Sequence, residues 1–503
     1  MKHATQLRLW LVVVAALVGA CGGSAPPAGP PLLPPGGELT ERPSILLITV
    51  DTLRRDHLGC YGYFRDTSPT IDALAAEGVL FERALASMAT TFPSHLSMLT
   101  GLYPHQHGRT SNRDGLEIPF RSTEGCASVA AVLKDQGYDT AAFVSSTVLH
   151  SRTGIGEGFD HFVHPLSEER TSKAEHMSDL FLEWLADREG DAPFFAWLHY
   201  WDPHEPNAPP REHLALFETS EALHERIAAA GISPDRLLEE FGDDDRVLER
   251  FFRGPSSRAD RRRRRHRGSE KNLDAEVIAE LWNRYDADVH YVDAQIGRVL
   301  AALEERGLRE RSIVAFTADH GQELGENLSF GHGRSSNINT FVPLILRFPP
   351  GVIPQPVRVQ ALVSLVDLAP TFLGRLDPGG LEGFLAQTEG EDLLSGRFRR
   401  DLALTQESTR FHRGGDRDSV YALLSGPWKY VQTGAEAELY DLADGGEYVD
   451  VRTEHPEVER RLKSRLMVLL RRIPRSARGD AAPDEEAQKL LDNLAEMGYG
   501  GGD

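Results

Sequence analysis

Residues Ser44–Val50 read SILLITV, a nearly continuous run of apolar and β-branched side chains that ends at Asp51. An alternating run would suit a strand with one wet face, whereas a continuous one suits a strand buried on both faces, as in a parallel sheet. Three more such runs follow, over residues 140–144, 194–199 and 313–317. Helical patterns fall between them, over 69–78, 128–137 and 275–307. Strands and helices alternating in this way predict an α/β fold with a largely parallel central sheet flanked by helices. In such folds ligands bind beyond the carboxyl ends of the strands, where Asp51 and Asp319 both fall.

The N-terminus carries a separate signal. Lys2 and Arg8 precede an apolar stretch over residues 9–18, and Gly19 and Ala20 lead into Cys21. That order of charged, apolar and small residues is the pattern of a secretory signal. The ending Leu17-Val18-Gly19-Ala20-Cys21 also resembles a bacterial lipobox, in which the cysteine is lipidated. A signal peptide with lipobox is therefore expected over 1–21, and the alternative is a plain cleaved signal with an incidental cysteine. Residues 22–37 are rich in Pro, Gly and Ala and cannot form a packed core, so 22–43 reads as a tether. The expected location is the cell envelope, with the exported protein anchored to a membrane through lipidated Cys21. No internal apolar run is long enough to span a bilayer. A formal charge of −21 argues against nucleic acid as a partner, because phosphates must be met by Lys and Arg. Cys60 and Cys126 are the remaining cysteines; they could pair, and the simpler reading is two free thiols.

The expected catalytic domain covers 44–375, with a charged, irregular insertion over 211–272 that contains five consecutive arginines at 261–265. Such a run is ordinarily a solvated loop, the alternative being a grip on an anionic substrate or lipid headgroup. Strand patterns at 420–424 and 429–432, a turn at Leu439-Tyr440-Asp441-Leu442 and a helix over 458–472 indicate a smaller C-terminal α+β subdomain over 376–478. Residues 479–503 form an acidic, loosely held tail with one short helix at 485–497.

Chemistry is concentrated in a few segments. Thr317-Ala318-Asp319-His320-Gly321 leaves a strand end and offers a carboxylate oxygen and an imidazole nitrogen to one cation. Asp51 ends another buried strand, where a carboxylate is costly unless it meets a cation or donors; Arg54 or Arg55 could be a structural partner instead. In the segment over 90–101, Pro93 suits the first turn of a helix and Gly101 its end. Thr91 would then lie at the helix N-terminus, where the dipole and unpaired N–H groups favour an alkoxide and an anion, unless it is a simple cap. His204, past a strand end, and His332, between two glycines, complete the set. His107, His199 and His290 read as ordinary hydrogen-bonded histidines.

Taken together these segments resemble the sulfatase family of the alkaline phosphatase superfamily, over 43–349 and again at 439–442. The residues that carry the resemblance are Val50-Asp51-Thr52-Leu53-Arg54, Pro93-Ser94 through Leu99-Thr100-Gly101-Leu102-Tyr103-Pro104, Gly158-Phe159-Asp160, Val292-Asp293 with Ile296-Gly297, and Asp319-His320-Gly321. The resemblance implies an alkaline phosphatase-like fold. Sulfatases oxidise a Cys or Ser two residues before the motif proline to formylglycine, and here that position is Thr91. The arginine that ends the motif is His95, the paired Asp is reduced to Asp51-Thr52, and the Lys and His of the Gly-Lys-Trp-His segment are absent around Ser145-Ser146. In these places the chain looks more like the threonine-nucleophile branch of phosphoethanolamine transferases and phosphodiesterases. That likeness implies a metal site of Asp51, Thr91, Asp319 and His320, and a second group, His204 and His332, serving the substrate or another metal. Two carboxylates, a hydroxyl and an imidazole suit Zn²⁺ or Mn²⁺ better than Ca²⁺, which prefers six or more oxygens. The expected activity is metal-dependent hydrolysis of a phosphate or sulfate ester through Thr91, on an anionic substrate such as an envelope glycan or lipid. The rivals are a sulfatase without formylglycine, an envelope transferase of the phosphoethanolamine type, and a non-catalytic binding protein of the same fold.

Overall fold

The structure, a computed structural model, describes residues 42–165, 171–241, 251–252, 273–374, 376, 381–396, 398–407, 419–443, 446–471 and 485–494. The signal and lipobox with Cys21, nearly all of the tether, the arginines at 261–265 and both ends of the acidic tail lie outside the described residues.

The strands of the larger part are β1 (Ser44–Val50), β2 (Val79–Leu85), β3 (Asp139–Val144), β4 (His161–Val163), β5 (Phe194–Tyr200) and β6 (Ser312–Ala318). A two-residue hairpin follows, β7 (Glu323–Leu324) and β8 (Phe330–Gly331), then β9 (Phe341–Val342), β10 (Leu344–Arg347) and β11 (Val357–Ser364). Among the described residues they build a nine-stranded sheet in the order β11-β2-β10-β6-β1-β5-β3-β4, with β9 paired on β2. All seven residues of β1 are buried, as its continuous apolar run requires, and β1 lies parallel between β5 and β6. Only β9 and β10 run against their neighbours. The direction of β10 has a simple cause. No helix crosses back over the sheet between β6 and β10, so residues 319–343 stay at the carboxyl end and β10 must return antiparallel. That segment carries Asp319, His320 and His332.

Helices cover the sheet: α1 (Pro69–Glu77), α2 (Thr91–Thr100), α3 (Val129–Asp135), α4 (Ala174–Asp187) and α5 (Ala275–Glu305). In α5, Trp282, Tyr285, Val289, Val292, Ile296, Val299 and Leu303 are buried, a stripe with the spacing of one helix face. Asp274 caps this helix by accepting from the Val277 N–H at 2.9 Å.

Several details differ from the sequence reading. The insertion is not irregular throughout, since short helices cover Arg211–Leu214, Glu221–Ala229 and Pro234–Phe241 and bury Leu223, Ile227 and Leu237. His213 and His290 meet there, Nδ1 to Nδ1 at 2.7 Å, clipping the insertion to α5. Residues 439–441 belong to a strand rather than a turn. The tail helix, Glu485–Leu494, buries Leu490 and Leu491 in the main core and is held, not loose. Cys60 and Cys126 are both free thiols. Among the described residues no helix is long and apolar enough to cross a membrane.

The C-terminal subdomain is an antiparallel sheet of β12 (Ala403–Gln406), β13 (Val420–Ser425), β14 (Trp428–Thr433) and β15 (Glu436–Asp441), covered by α6 (Pro456–Leu470). Leu423, Tyr430, Leu439, Leu462 and Leu466 form its own small core.

Candidate active site

Asp51 is the first residue past β1 and is fully buried. Thr52 after it has a φ of 56°, an uncommon conformation for a non-glycine residue. The turn aims the Thr52 N–H at Asp319 Oδ1, 3.2 Å away. Asp319 leaves the neighbouring strand β6, and its Oδ1 also accepts from the His320 N–H at 2.8 Å. Both donors fall on one oxygen, so Oδ2 keeps no hydrogen-bond partner. His320 Nδ1 lies 3.0 Å from the Gly321 carbonyl. A carbonyl only accepts, so Nδ1 carries the proton and Nε2 presents its lone pair. That Nε2 is 3.4 Å from Asp319 Oδ2 and 3.8 Å from Asp51 Oδ1.

Thr91 opens α2, as Pro93 suggested, and the helix ends at Gly101 with φ 67°. A Cβ at Gly101 would meet Thr388 Oγ1 at 2.0 Å, so only glycine fits there. The capping alternative for Thr91 fails: Thr90 is the N-cap, and neither hydroxyl makes a capping bond. The helix start is fixed by other groups. Ser94 Oγ donates to the Asp319 carbonyl at 2.8 Å, and Asn112 Oδ1 accepts the Phe92 N–H at 2.8 Å.

Both Asp51 oxygens, Thr91 Oγ1, Asp319 Oδ2 and His320 Nε2 are thus buried without a hydrogen bond of good geometry. Buried polar atoms are nearly always satisfied, and five orphans in one place need an explanation. The ligand atoms of Asp51, Asp319 and His320 lie within 4.8 Å of one another, so one cation could satisfy them. Burial, then the charges of Asp319 and Glu205, hold the Asp51 carboxyl well above the usual range, while the Thr91 hydroxyl and Thr52 N–H oppose this. The proposed structural partners are engaged elsewhere. Arg54 pairs with Asp56 and Glu326 and lies over Trp282, and Arg55 reaches the Glu82 carbonyl. This donor set fits a divalent cation.

A second group borders the first. His204 Nε2 and His332 Nε2 are 3.2 Å apart, and the His332 ring stacks on that of His320 with centroids 4.4 Å apart. Trp201 stacks on His204 at 3.7 Å, and His204 Nδ1 lies 2.8 Å from the Glu205 carbonyl. Glu205 joins these two histidines in a cluster with metal-ligand spacing. The structure therefore brings together all six residues singled out in the sequence.

It also adds three that the sequence reading missed. Glu205 sat unnoticed beside His204. His95 holds the helix start, with Nδ1 2.8 Å from the Thr91 carbonyl and Nε2 3.1 Å from Thr49 Oγ1, and burial pushes its pKa down. His199 is no ordinary strand histidine: its Nδ1 accepts from the Ser145 N–H at 3.3 Å, which leaves the proton of the neutral ring on Nε2. That Nε2 lies 3.7 Å from Asp51 Oδ2, and burial with the neighbouring His95, His204 and His320 keeps the ring neutral. Register was the available signal. His199 pairs with Thr49, two residues before Asp51 and on the same face of β1. His107 is structural, bonded to Ser97 Oγ at 3.0 Å.

Comparison with known proteins identifies the family and the fold. The sulfatase family profile matches residues 43–378. Mouse iduronate 2-sulfatase is 27% identical over 66% of this chain, and the chain spans 64% of its length. N-acetylglucosamine-6-O-sulfatase of Bacteroides thetaiotaomicron is 26% identical, covering 67% of this chain and 68% of its own. Among solved structures, the phosphonate monoester hydrolase of Agrobacterium radiobacter superposes with a TM-score of 0.63 at 22% identity, covering 85% of this chain and 95% of its own. A structure solved with its substrate D-glucosamine-2-N,6-O-disulfate gives 0.65 at 22% identity, over 91% and 99% of the two chains. With the profile covering two thirds of its length and the fold matching throughout, the chain belongs to the sulfatase family of the alkaline phosphatase-like superfamily.

Proposed function

We propose that the chain is an exported, lipid-anchored hydrolase that cleaves phosphate or sulfate monoesters with a divalent metal and Thr91 as nucleophile. The observation that carries this reading is the convergence of five unpartnered buried ligand atoms where α2 begins. A divalent cation bound by Asp51, Thr91, Asp319 and His320 would supply the positive charge that makes the Thr91 hydroxyl acidic and draws electrons from the ester.

The chain's own groups do the rest. Thr91 Oγ loses its proton to solvent and attacks the phosphorus or sulfur atom; the bond to the leaving oxygen breaks, and an ester remains on Thr91. The Nε2 atoms of His204 and His332 lie 3.2 Å apart with both Nδ1 atoms on carbonyls, so a proton taken up between them makes the pair cationic, and that proton goes to the leaving oxygen. Water attacks the Thr91 ester from the side the leaving group vacated, gives a proton back to the histidine pair, and frees Thr91. His199 Nε2 lies 3.7 Å from Asp51 Oδ2, beyond hydrogen-bond reach, and borders that carboxylate as a neutral ring. The names of the relatives support a sulfated glycan as the substrate class.

The test uses purified protein stripped of metal, reloaded with Zn²⁺, Mn²⁺ or Ca²⁺, and offered matched aryl sulfate, phosphate monoester, phosphonate monoester and phosphodiester. Turnover of a monoester with Zn²⁺ or Mn²⁺ is expected. No turnover of any ester with any metal would return the chain to a binding role. For the anchor, Cys21→Ser is expected to move the protein from the membrane fraction to the soluble fraction in a bacterial host. Unchanged membrane retention would overturn the lipidation reading.

A further inference from the structure

The segment that carries His332 has no regular backbone structure of its own. Gly331 and Gly333 flank the histidine with φ of 94° and 111°, and residues 332–336 belong to no helix or strand. His332 Nδ1 is a rather long 3.3 Å from the Ala89 carbonyl. A side chain that must meet His204 and His320 within a few tenths of an ångström needs firmer support than this.

The support comes from the C-terminal subdomain. Lys429, the second residue of β14, is only 1% exposed, and its ammonium group donates to the Ser335 carbonyl and to Asn337 Oδ1 while pairing with Glu447. Glu447 Oε2 accepts the Asn337 N–H at 2.6 Å. Glu407 Oε1 accepts from both the N–H and the hydroxyl of Ser335, at 2.7 and 2.9 Å. Three charged side chains of the C-terminal subdomain thus make five hydrogen bonds to two residues that follow His332 by three and five positions.

We propose that Lys429, Glu407 and Glu447 are positioning residues for His332, so that the C-terminal subdomain sets the geometry of the second histidine group. Burying an ammonium and a carboxylate is a poor way to gain stability, because desolvation offsets most of the attraction. Apolar contacts would join the two sheets as well. What charge-assisted hydrogen bonds add is direction, since each fixes a distance and an angle to a particular backbone group. Three of the five bonds fall on backbone groups of Ser335 and Asn337, which fits a clamp on the loop rather than a general adhesive between domains.

This inference rests on the reading of His332 as part of the catalytic machinery, and the test separates the two. Full-length, metal-loaded protein would be compared as Lys429→Met, His332→Ala and the double variant. Displacement of a catalytic group by about 1 Å costs on the order of 10²-fold, so Lys429→Met is expected to lower kcat roughly 10- to 100-fold. If Lys429 acts through His332, the double variant falls no further than His332→Ala alone. Hydrogen exchange at the Ser335 and Asn337 amides is expected to speed up in Lys429→Met, while exchange in β1 and β6 stays unchanged. Multiplying losses in the double variant, or unchanged exchange at both amides, would overturn the proposal. If His332→Ala leaves turnover intact, the catalytic reading of His332 fails, and the exchange data alone decide the clamp. Glu407→Ala carries the same measurements should Lys429→Met not fold.

Discussion

Replacing Thr91 with alanine is expected to lower turnover about 10⁴-fold or more, the scale seen when a covalent nucleophile is removed. The fold should not notice. Thr91 Oγ1 makes no hydrogen bond of good geometry and caps no helix turn, so its removal costs the backbone no hydrogen bond. Thr91→Val sharpens the point. It keeps the shape of the side chain and replaces a buried, unsatisfied hydroxyl by a methyl, an exchange that is near neutral or stabilising in itself. The metal-free melting temperature of Thr91→Val should therefore stay within about 1 °C of the parent or rise, a shift worth about 1 kcal/mol in a chain of this length. Thr91→Ser is expected to keep part of the activity, because it retains a hydroxyl at the same atom. Mass spectrometry of denatured protein after mixing with a phosphate monoester should find the added group on the peptide containing Thr91. Retained turnover in Thr91→Ala, or a modified peptide elsewhere, would remove Thr91 from the role of nucleophile.

Residues read correctly from the sequence were those whose position follows from period and strand ends. β1, β5 and β6 are continuous apolar runs because both faces are covered, and Asp51 and Asp319 then fall at their carboxyl ends. Thr91 was legible because Pro93 and Gly101 frame the helix it opens. What the sequence hid depends on contacts between distant segments. His199 looks like any strand residue until the register sets it beside Thr49. The grip of Glu407, Lys429 and Glu447 on Ser335 and Asn337 spans up to 110 positions and has no local signature. The antiparallel return of β10 was equally hidden, since a short apolar run does not reveal its direction. Residues 439–441 were misread as a turn because Tyr440 and Asp441 are half-exposed at the end of β15.

Removing the divalent metal with a chelator is expected to abolish turnover as completely as Thr91→Ala does, and Zn²⁺ or Mn²⁺ should restore it. The physical reason lies in the metal-free site. Asp51 is buried beside Asp319, and desolvation followed by the Asp319 charge holds the Asp51 carboxyl well above its usual range. A cation turns that repulsion into attraction, so metal binding and folding are coupled. At free metal about 1,000 times its dissociation constant the folded state gains about 4 kcal/mol, which calorimetry would register as a rise in melting temperature. Asp51→Asn should then act in opposite directions on the two forms. Without metal it removes a buried like-charge conflict and is expected to raise the melting temperature. In the presence of metal it loses an anionic ligand, and both the thermal gain and the turnover should disappear. A carboxylate kept only for structure would lose stability in both forms, so the crossing of the two effects is what identifies Asp51 as a ligand. Restoration by Ca²⁺ alone would overturn the choice of metal. It would mean that water or substrate oxygens, rather than the imidazole of His320, complete the coordination sphere, and that the threonine site keeps a hard-cation preference.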